Sequence, residues 1–137
     1  MQQVIPGEQE FNLLIVDDDM EFLKTIARLL EGAGYTVFKA KDGFKASEIV
    51  REKPIGLAFV DTEMPIIDGI EVLREIKWLT PKTEVVLMAE RPNAQAADAA
   101  FVEGAIGYFA KPIEKYDLVR KVEEVRNGNP SVSLKWQ

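Results

Sequence analysis

The sequence contains no cysteine and no histidine. Without cysteine there are no disulfides, thiolate metal sites or thiol nucleophiles, and without histidine the commonest general base and zinc ligand are missing. Serine-histidine, cysteine-histidine and zinc hydrolase chemistry are therefore excluded. Basic charge is also scarce: 17 Lys and Arg against 23 Asp and Glu leave a net charge of -6, which opposes a phosphate backbone. Binding of nucleic acid by this chain alone is not expected. No apolar run approaches the roughly 18 residues needed to span a bilayer. The first basic residue is Lys24, so neither a signal peptide nor a membrane helix is expected, and a cytoplasmic location is the default. What is present is 137 residues, 47% of them apolar, enough for one globular unit with a well-buried core.

Nearly continuous apolar runs occur at 13–16, 57–60 and 85–88. Each is followed by polar residues and then a helical pattern, as in strands buried on both faces of a parallel sheet. Two runs of more mixed polarity, 36–40 and 106–110, suit strands nearer a sheet edge. Between them lie helical spacings: Phe22, Ile26, Leu29 and Leu30; Leu73, Ile76 and Leu79; Leu118, Val122 and Val125. Gly32 and Gly34 end the first helix, Asp42-Gly43 opens the second, and Asp68 with Glu71 forms a capping box for the third. Segment 93–102 is helical by propensity, but its apolar face is mostly alanine, so it should be the least firmly anchored helix. Asn127, Gly128, Asn129 and Pro130 stop the last one. The expectation is an α/β domain over 11–127, with a leader at 1–10 and a tail or truncated linker at 128–137. Its five parallel strands alternate with helices that cover both faces.

In such sheets the ligand site lies beyond the carboxyl ends of the strands. After the first strand come Asp17, Asp18 and Asp19; after the third comes Asp61; after the fifth comes Lys111-Pro112. Asp19 reads most simply as a helix cap. Asp17 and Asp18 do not, because Asp61 ends an apolar strand at the same edge. Carboxylates ~4 Å apart repel by roughly 1 to 4 kcal/mol at dielectrics between water and a protein surface, so the cluster needs a proton or a cation. An all-oxygen site open to water suits Mg²⁺. Lys111 adds a point charge able to hold a phosphoryl oxygen. The parts fit a phosphoryl-transfer site with a carboxylate nucleophile.

The run Leu13-Leu14-Ile15-Val16-Asp17-Asp18-Asp19, the run Asp61-Thr62-Glu63-Met64-Pro65 with Asp68-Gly69, the pair Gly104-Ala105, and Tyr108 with Lys111-Pro112 resemble the signature of response-regulator receiver domains of two-component systems. The resemblance covers roughly 11–127. It implies a flavodoxin-like, doubly wound sheet of order 2-1-3-4-5. It also implies that Asp61 accepts a phosphoryl group from a histidine kinase or a phosphotransfer protein, in a signalling switch and not a turnover enzyme. By the same likeness Asp18, Asp61 and the Glu63 carbonyl bind Mg²⁺ directly and Asp17 does so through water. Lys111, with Thr62 and Glu90, holds the phosphoryl group, and the Lys111-Pro112 bond is cis. Tyr108 matches a mobile switch aromatic, though a half-buried edge-strand tyrosine is an equally good packing residue. Partners, including a second copy, would use the fourth helix, fifth strand and fifth helix.

One position departs from the pattern. Receiver domains usually carry a threonine or serine at the end of the fourth strand, and here that place falls to Ala89. No serine or threonine occurs anywhere from Glu84 to Gly107. Two other readings stay open: a receiver-like docking module that does not signal through phosphate, and an aspartyl-phosphate phosphohydrolase suggested by Asp61-Thr62-Glu63. The latter usually needs an aspartate as second acid and a substrate cap, which this chain does not supply.

Overall fold

The computed structural model describes residues 10–136; residues 1–9 of the expected leader lie outside them. The elements alternate: β1 (Asn12–Val16), α1 (Met20–Gly32), β2 (Val37–Ala40), α2 (Gly43–Glu52), β3 (Ile55–Asp61), α3 (Gly69–Leu79), β4 (Glu84–Ala89), α4 (Ala94–Val102), β5 (Gly107–Ala110), α5 (Lys115–Arg126) and β6 (Ser133–Lys135). All pairings are parallel, in the order β2-β1-β3-β4-β5-β6. The first five strands follow the expected flavodoxin-like order 2-1-3-4-5. The sixth corrects the expectation of five: the segment read as a tail adds a strand to the outer edge of β5, pairing Gly107 with Ser133 and Tyr108 with Leu134.

Successive side chains of a strand point to opposite faces, and the three apolar runs feed two cores. Leu14, Val16, Ala58, Val60, Val85 and Leu87 pack with Ala46, Ile49, Leu73, Ile76 and Ala97 from α2, α3 and α4. Leu13, Ile15, Leu57, Phe59, Val86 and Met88 pack with Leu23, Ile26, Leu30, Leu118 and Val122 from α1 and α5. The sheet is thus covered on both sides, which is why its central strands carry no polar alternation. α4 buries only Ala97 and Ala100 and leaves Val102 exposed, as its alanine face foreshadows. Among the described residues no helix is long and apolar enough to cross a membrane.

The helix starts use the expected caps. Asp19 accepts from the amides of Glu21 and Phe22, Asp42 from Lys45, and Asp68 from Glu71. Asp19 therefore caps α1, and Asp17 and Asp18 do not serve as its cap.

Candidate phosphoryl-transfer site

β1, β3 and β5 deliver their side chains to one edge. Asp17 follows β1 and is fully buried, Asp61 ends β3 and is 4% exposed, and Asp18 stands open to solvent. Carboxylate oxygens of the three lie within 4.8 Å of one another. Lys111, just after β5, reaches across: its Nζ lies 2.6 Å from Asp17 Oδ2 and 3.4 Å from Asp61 Oδ1. The ammonium also sits 4.2 Å from the centre of the Phe22 ring on α1, a cation-π contact that helps hold it in place. The Lys111-Pro112 peptide is cis.

The electrostatics follow from this crowding. Burial first, and then the charge of Asp17, push the Asp61 carboxyl up from 3.8 to about 6, with Lys111 opposing. For Lys111, burial works against the ammonium. The hydrogen bond and charge of Asp17, followed by Asp61, outweigh it, and the lysine is held above its ordinary value.

Both oxygens of Asp17 are engaged, Oδ2 by Lys111 and Oδ1 by the Asp19 amide at 2.9 Å. A divalent cation would thus find Asp18 and Asp61 more available than Asp17. Hard oxygen donors, one of them facing water, are the right chemistry for Mg²⁺, which keeps part of its hydration shell. The residues present fit that ion.

The loop after β3 is set by close backbone packing. The Thr62 amide donates to Met88 O at 2.9 Å and the Gly69 amide to Thr62 O at 3.1 Å. A Cβ at Gly69 would strike Asp61 O and come within 2.6 Å of Thr62 Cα. Only glycine lets α3 begin this close to the end of β3. Between them Ile66 adopts φ 72° while 90% exposed, a strained conformation for a β-branched residue.

The remaining expected residues divide. Glu63 donates its amide toward Asp61 Oδ1 at 3.4 Å, but its carboxylate turns outward to Arg91 at 3.2 Å. Thr62 is half-buried beside Asp61, and Glu90 is exposed beyond β4. Ala89 ends β4, 1% exposed, and its carbonyl accepts from the Lys111 amide at 2.8 Å. Its buried methyl group belongs to the core with Val85 and Leu87 and carries no hydrogen-bond donor. Tyr108 is not the half-buried edge residue considered above: it is 1% exposed, because β6 covers the strand it stands on. Its hydroxyl accepts from the Asn93 amide at 3.2 Å. Sequence reasoning missed Phe22 as a contact of Lys111 and Arg91 as a partner of Glu63. Arg91, two residues past a strand end, carried a usable positional signal; Phe22 looked like any other apolar helix position.

Comparison with known proteins agrees with this architecture. The response regulator receiver domain family matches residues 13–123, and the chain belongs to it. A transcriptional regulatory protein ZraR from Klebsiella oxytoca is 40% identical over 108 residues, 79% of this chain and 24% of that protein. The DNA-binding transcriptional regulator NtrC of Escherichia coli K12 is 32% identical over 80% of this chain and 23% of its own length. The chain thus spans about a quarter of each of these relatives. Among solved structures, a receiver domain from Clostridium thermocellum is 30% identical with a TM-score of 0.81, covering 88% of this chain and 96% of that one. A receiver domain from Methanospirillum hungatei is 26% identical with a TM-score of 0.83, covering 88% and 97%. The chain is a receiver domain of the two-component response-regulator class, a signalling switch.

Proposed function

We propose that Asp61 accepts a phosphoryl group from a histidine kinase or a phosphotransfer protein. One carboxylate oxygen of Asp61 forms the new O–P bond as the donor's P–N bond breaks, and the departing imidazole takes a proton from water. The observation that carries this reading is the position of Asp61 at the end of β3, with the Lys111 ammonium 3.4 Å away and two further carboxylates beside it. Lys111 neutralises charge on the transferring group. Asp18, Asp61 and the Glu63 carbonyl would hold Mg²⁺ directly, and Asp17 would act through Lys111 and water. When bound, the ion supplies further charge neutralisation at the phosphoryl oxygens. Thr62 and the Glu90 amide are further candidates for phosphoryl contacts.

The test is incubation with Mg²⁺ and acetyl phosphate followed by intact mass. One phosphoryl group is expected on the parent chain and none on Asp61→Asn. Uptake by that variant under the same conditions would sink the assignment.

A second reading, phosphate-independent docking, is favoured by one observation: buried Ala89 offers a new phosphoryl group no hydroxyl. A parent chain that takes up no phosphoryl group, yet still binds a partner, would support it. The phosphohydrolase alternative predicts multiple turnover of a phosphomonoester, whereas the switch predicts one slowly lost acyl phosphate.

A further inference from the structure

Four contacts close a ring around the Lys111 ammonium. Asp17 Oδ2 accepts from Lys111 Nζ at 2.6 Å, and Asp17 Oδ1 accepts from the Asp19 amide at 2.9 Å. Asp19 Oδ1 in turn accepts from the Phe22 amide at 3.1 Å. The Phe22 ring returns to the start, its centre 4.2 Å from Lys111 Nζ. The end of β1, the first turn of α1 and the residue after β5 are thereby tied together. The carboxylate that caps α1 also sets the ring beside the lysine.

The two partners hold the ammonium in different ways. A hydrogen bond to Asp17 fixes direction as well as distance. The face of an aromatic ring attracts a cation through its quadrupole and has no lone pair to line up with, so an ammonium can swing across it. Lys111 has three donors on a flexible stem. One is spent on Asp17, while Asp61 Oδ1 at 3.4 Å lies beyond the usual hydrogen-bond range. Phe22 itself is half-buried and packs against the core that holds Leu23 and Ile26, so its ring stays where α1 puts it. The Lys111 side chain is only 9% exposed. Little water is left to compete, which strengthens a cation-π contact.

We infer that Phe22 is a positioning residue for phosphoryl transfer: its ring is a fixed bearing on which the Lys111 ammonium turns from Asp17 toward the oxygens of the incoming group, and the Asp19 cap holds that bearing in place. The role rests on the phosphoacceptor reading of Asp61; the contact does not. Without the ring the stem is free to fold down on Asp17, its one close partner, and each transfer must first order a long side chain. With the ring in place, the positive charge already stands where negative charge develops. Phe22 offers no oxygen to a metal, so its loss should leave the Mg²⁺ requirement unchanged.

The experiment uses the full chain. Phe22→Leu removes the ring, and site-specific replacement of Phe22 by ring-fluorinated phenylalanines keeps the shape while draining the negative face one fluorine at a time. In the ligand-free parent the Lys111 ε-methylene protons should resonate upfield of those of other lysines, shielded by the ring, and should return to the ordinary position in Phe22→Leu. With acetyl phosphate and saturating Mg²⁺, an Asp61 oxygen forms the new O–P bond as acetate departs, and intact mass follows the rate. Phe22→Leu should slow it roughly twofold to thirtyfold, the span of a cation-π contact from exposed to desolvated. Fluorination should slow it stepwise, and the Mg²⁺ concentration giving half the maximal rate should not move in either case. Asp19→Ala should slow it too, and Asp19→Asn, which keeps the accepting oxygen, should restore it. Ordinary Lys111 shifts in the parent overturn the contact and the role together. A rate unmoved by fluorination, or a loss traced to a higher Mg²⁺ requirement, overturns the role, because packing alone then accounts for Phe22. An Asp19→Asn chain as slow as Asp19→Ala overturns the part given to the cap. A parent chain that takes up no phosphoryl group overturns the phosphoacceptor reading and the role with it, while the Lys111 shifts still decide the contact.

Discussion

The Lys111 ammonium is bonded more closely to Asp17, at 2.6 Å, than to Asp61, at 3.4 Å. The cation is thus tethered to a fully buried carboxylate while remaining within reach of Asp61. Lys111→Met should strand both carboxylates and destabilise the metal-free chain by about 3 to 5 kcal/mol, the usual cost of removing one member of a buried pair. Adding Asp17→Asn to that variant should recover part of the loss. Urea unfolding in a chelator measures both, and a single variant as stable as the parent would show that the pair is not structural.

Asp61 should make stability fall as pH rises. Its carboxyl is pushed up from 3.8 to about 6, so the folded chain keeps a proton that the unfolded chain has already lost. This contribution is fully present below the unfolded value and disappears as pH climbs through about 6. Relative to Asp61→Asn, the metal-free parent should lose about 1 to 3 kcal/mol between about pH 4 and about pH 7. A difference that stays flat across that range would contradict the raised value.

Ala89→Thr should strengthen the response to phosphorylation. The site is fixed by the bond from the Lys111 amide to the Ala89 carbonyl, and a hydroxyl there would donate to a charged phosphoryl oxygen, worth on the order of 1.5 to 3 kcal/mol. Beryllofluoride should bind the variant roughly tenfold or more tightly, with larger chemical-shift changes around Tyr108. If the parent already shows the full rearrangement and the substitution adds nothing, the domain switches through another contact.

These tests also separate what the sequence made legible from what it hid. Asp17, Asp18, Asp61 and Lys111 were readable because each follows an apolar run, and strand ends converge in a parallel sheet whatever the remaining detail. Ala89 was readable as an absence. Glu63 was assigned by position, but its pairing with Arg91 depends on how two loops approach each other, which no local pattern encodes. β6 was missed for a similar reason: three residues, among them an exposed Leu134 and the charged Lys135, carry little burial signal, and the contacts that hold them, Lys121 and Tyr108, lie on other elements. The error over Tyr108 followed directly, since a strand taken for an edge was in fact covered.

Gly69→Ala should disturb the placement of Asp61, because the new methyl group strikes the backbone of Asp61 and Thr62. A loss of about 1 to 3 kcal/mol is expected, as for other overpacked positions, together with weaker Mg²⁺ binding. Gly32→Ala, where a Cβ meets nothing within 4 Å, is the control and should be neutral to slightly stabilising. Equal effects from the two would rule out the close approach as the cause.

Ile66→Asn should stabilise the chain by about 1 kcal/mol. The residue is 90% exposed at φ 72°, where asparagine is tolerated and a β-branched side chain is strained. Thermal unfolding reads the change, and a lower midpoint would mean that the isoleucine makes a contact in solution that outweighs its strain.

β6 has one more consequence, for self-association. A parallel sheet that stopped at β5 would present a row of unpaired amides and carbonyls, the ordinary template for joining sheets of different molecules. Ser133 and Lys135 on a strand of three residues make a poor template in its place: too short to extend, and charged. This short strand is thus an edge guard, and without it the outer edge of β5 would lie open to neighbouring molecules.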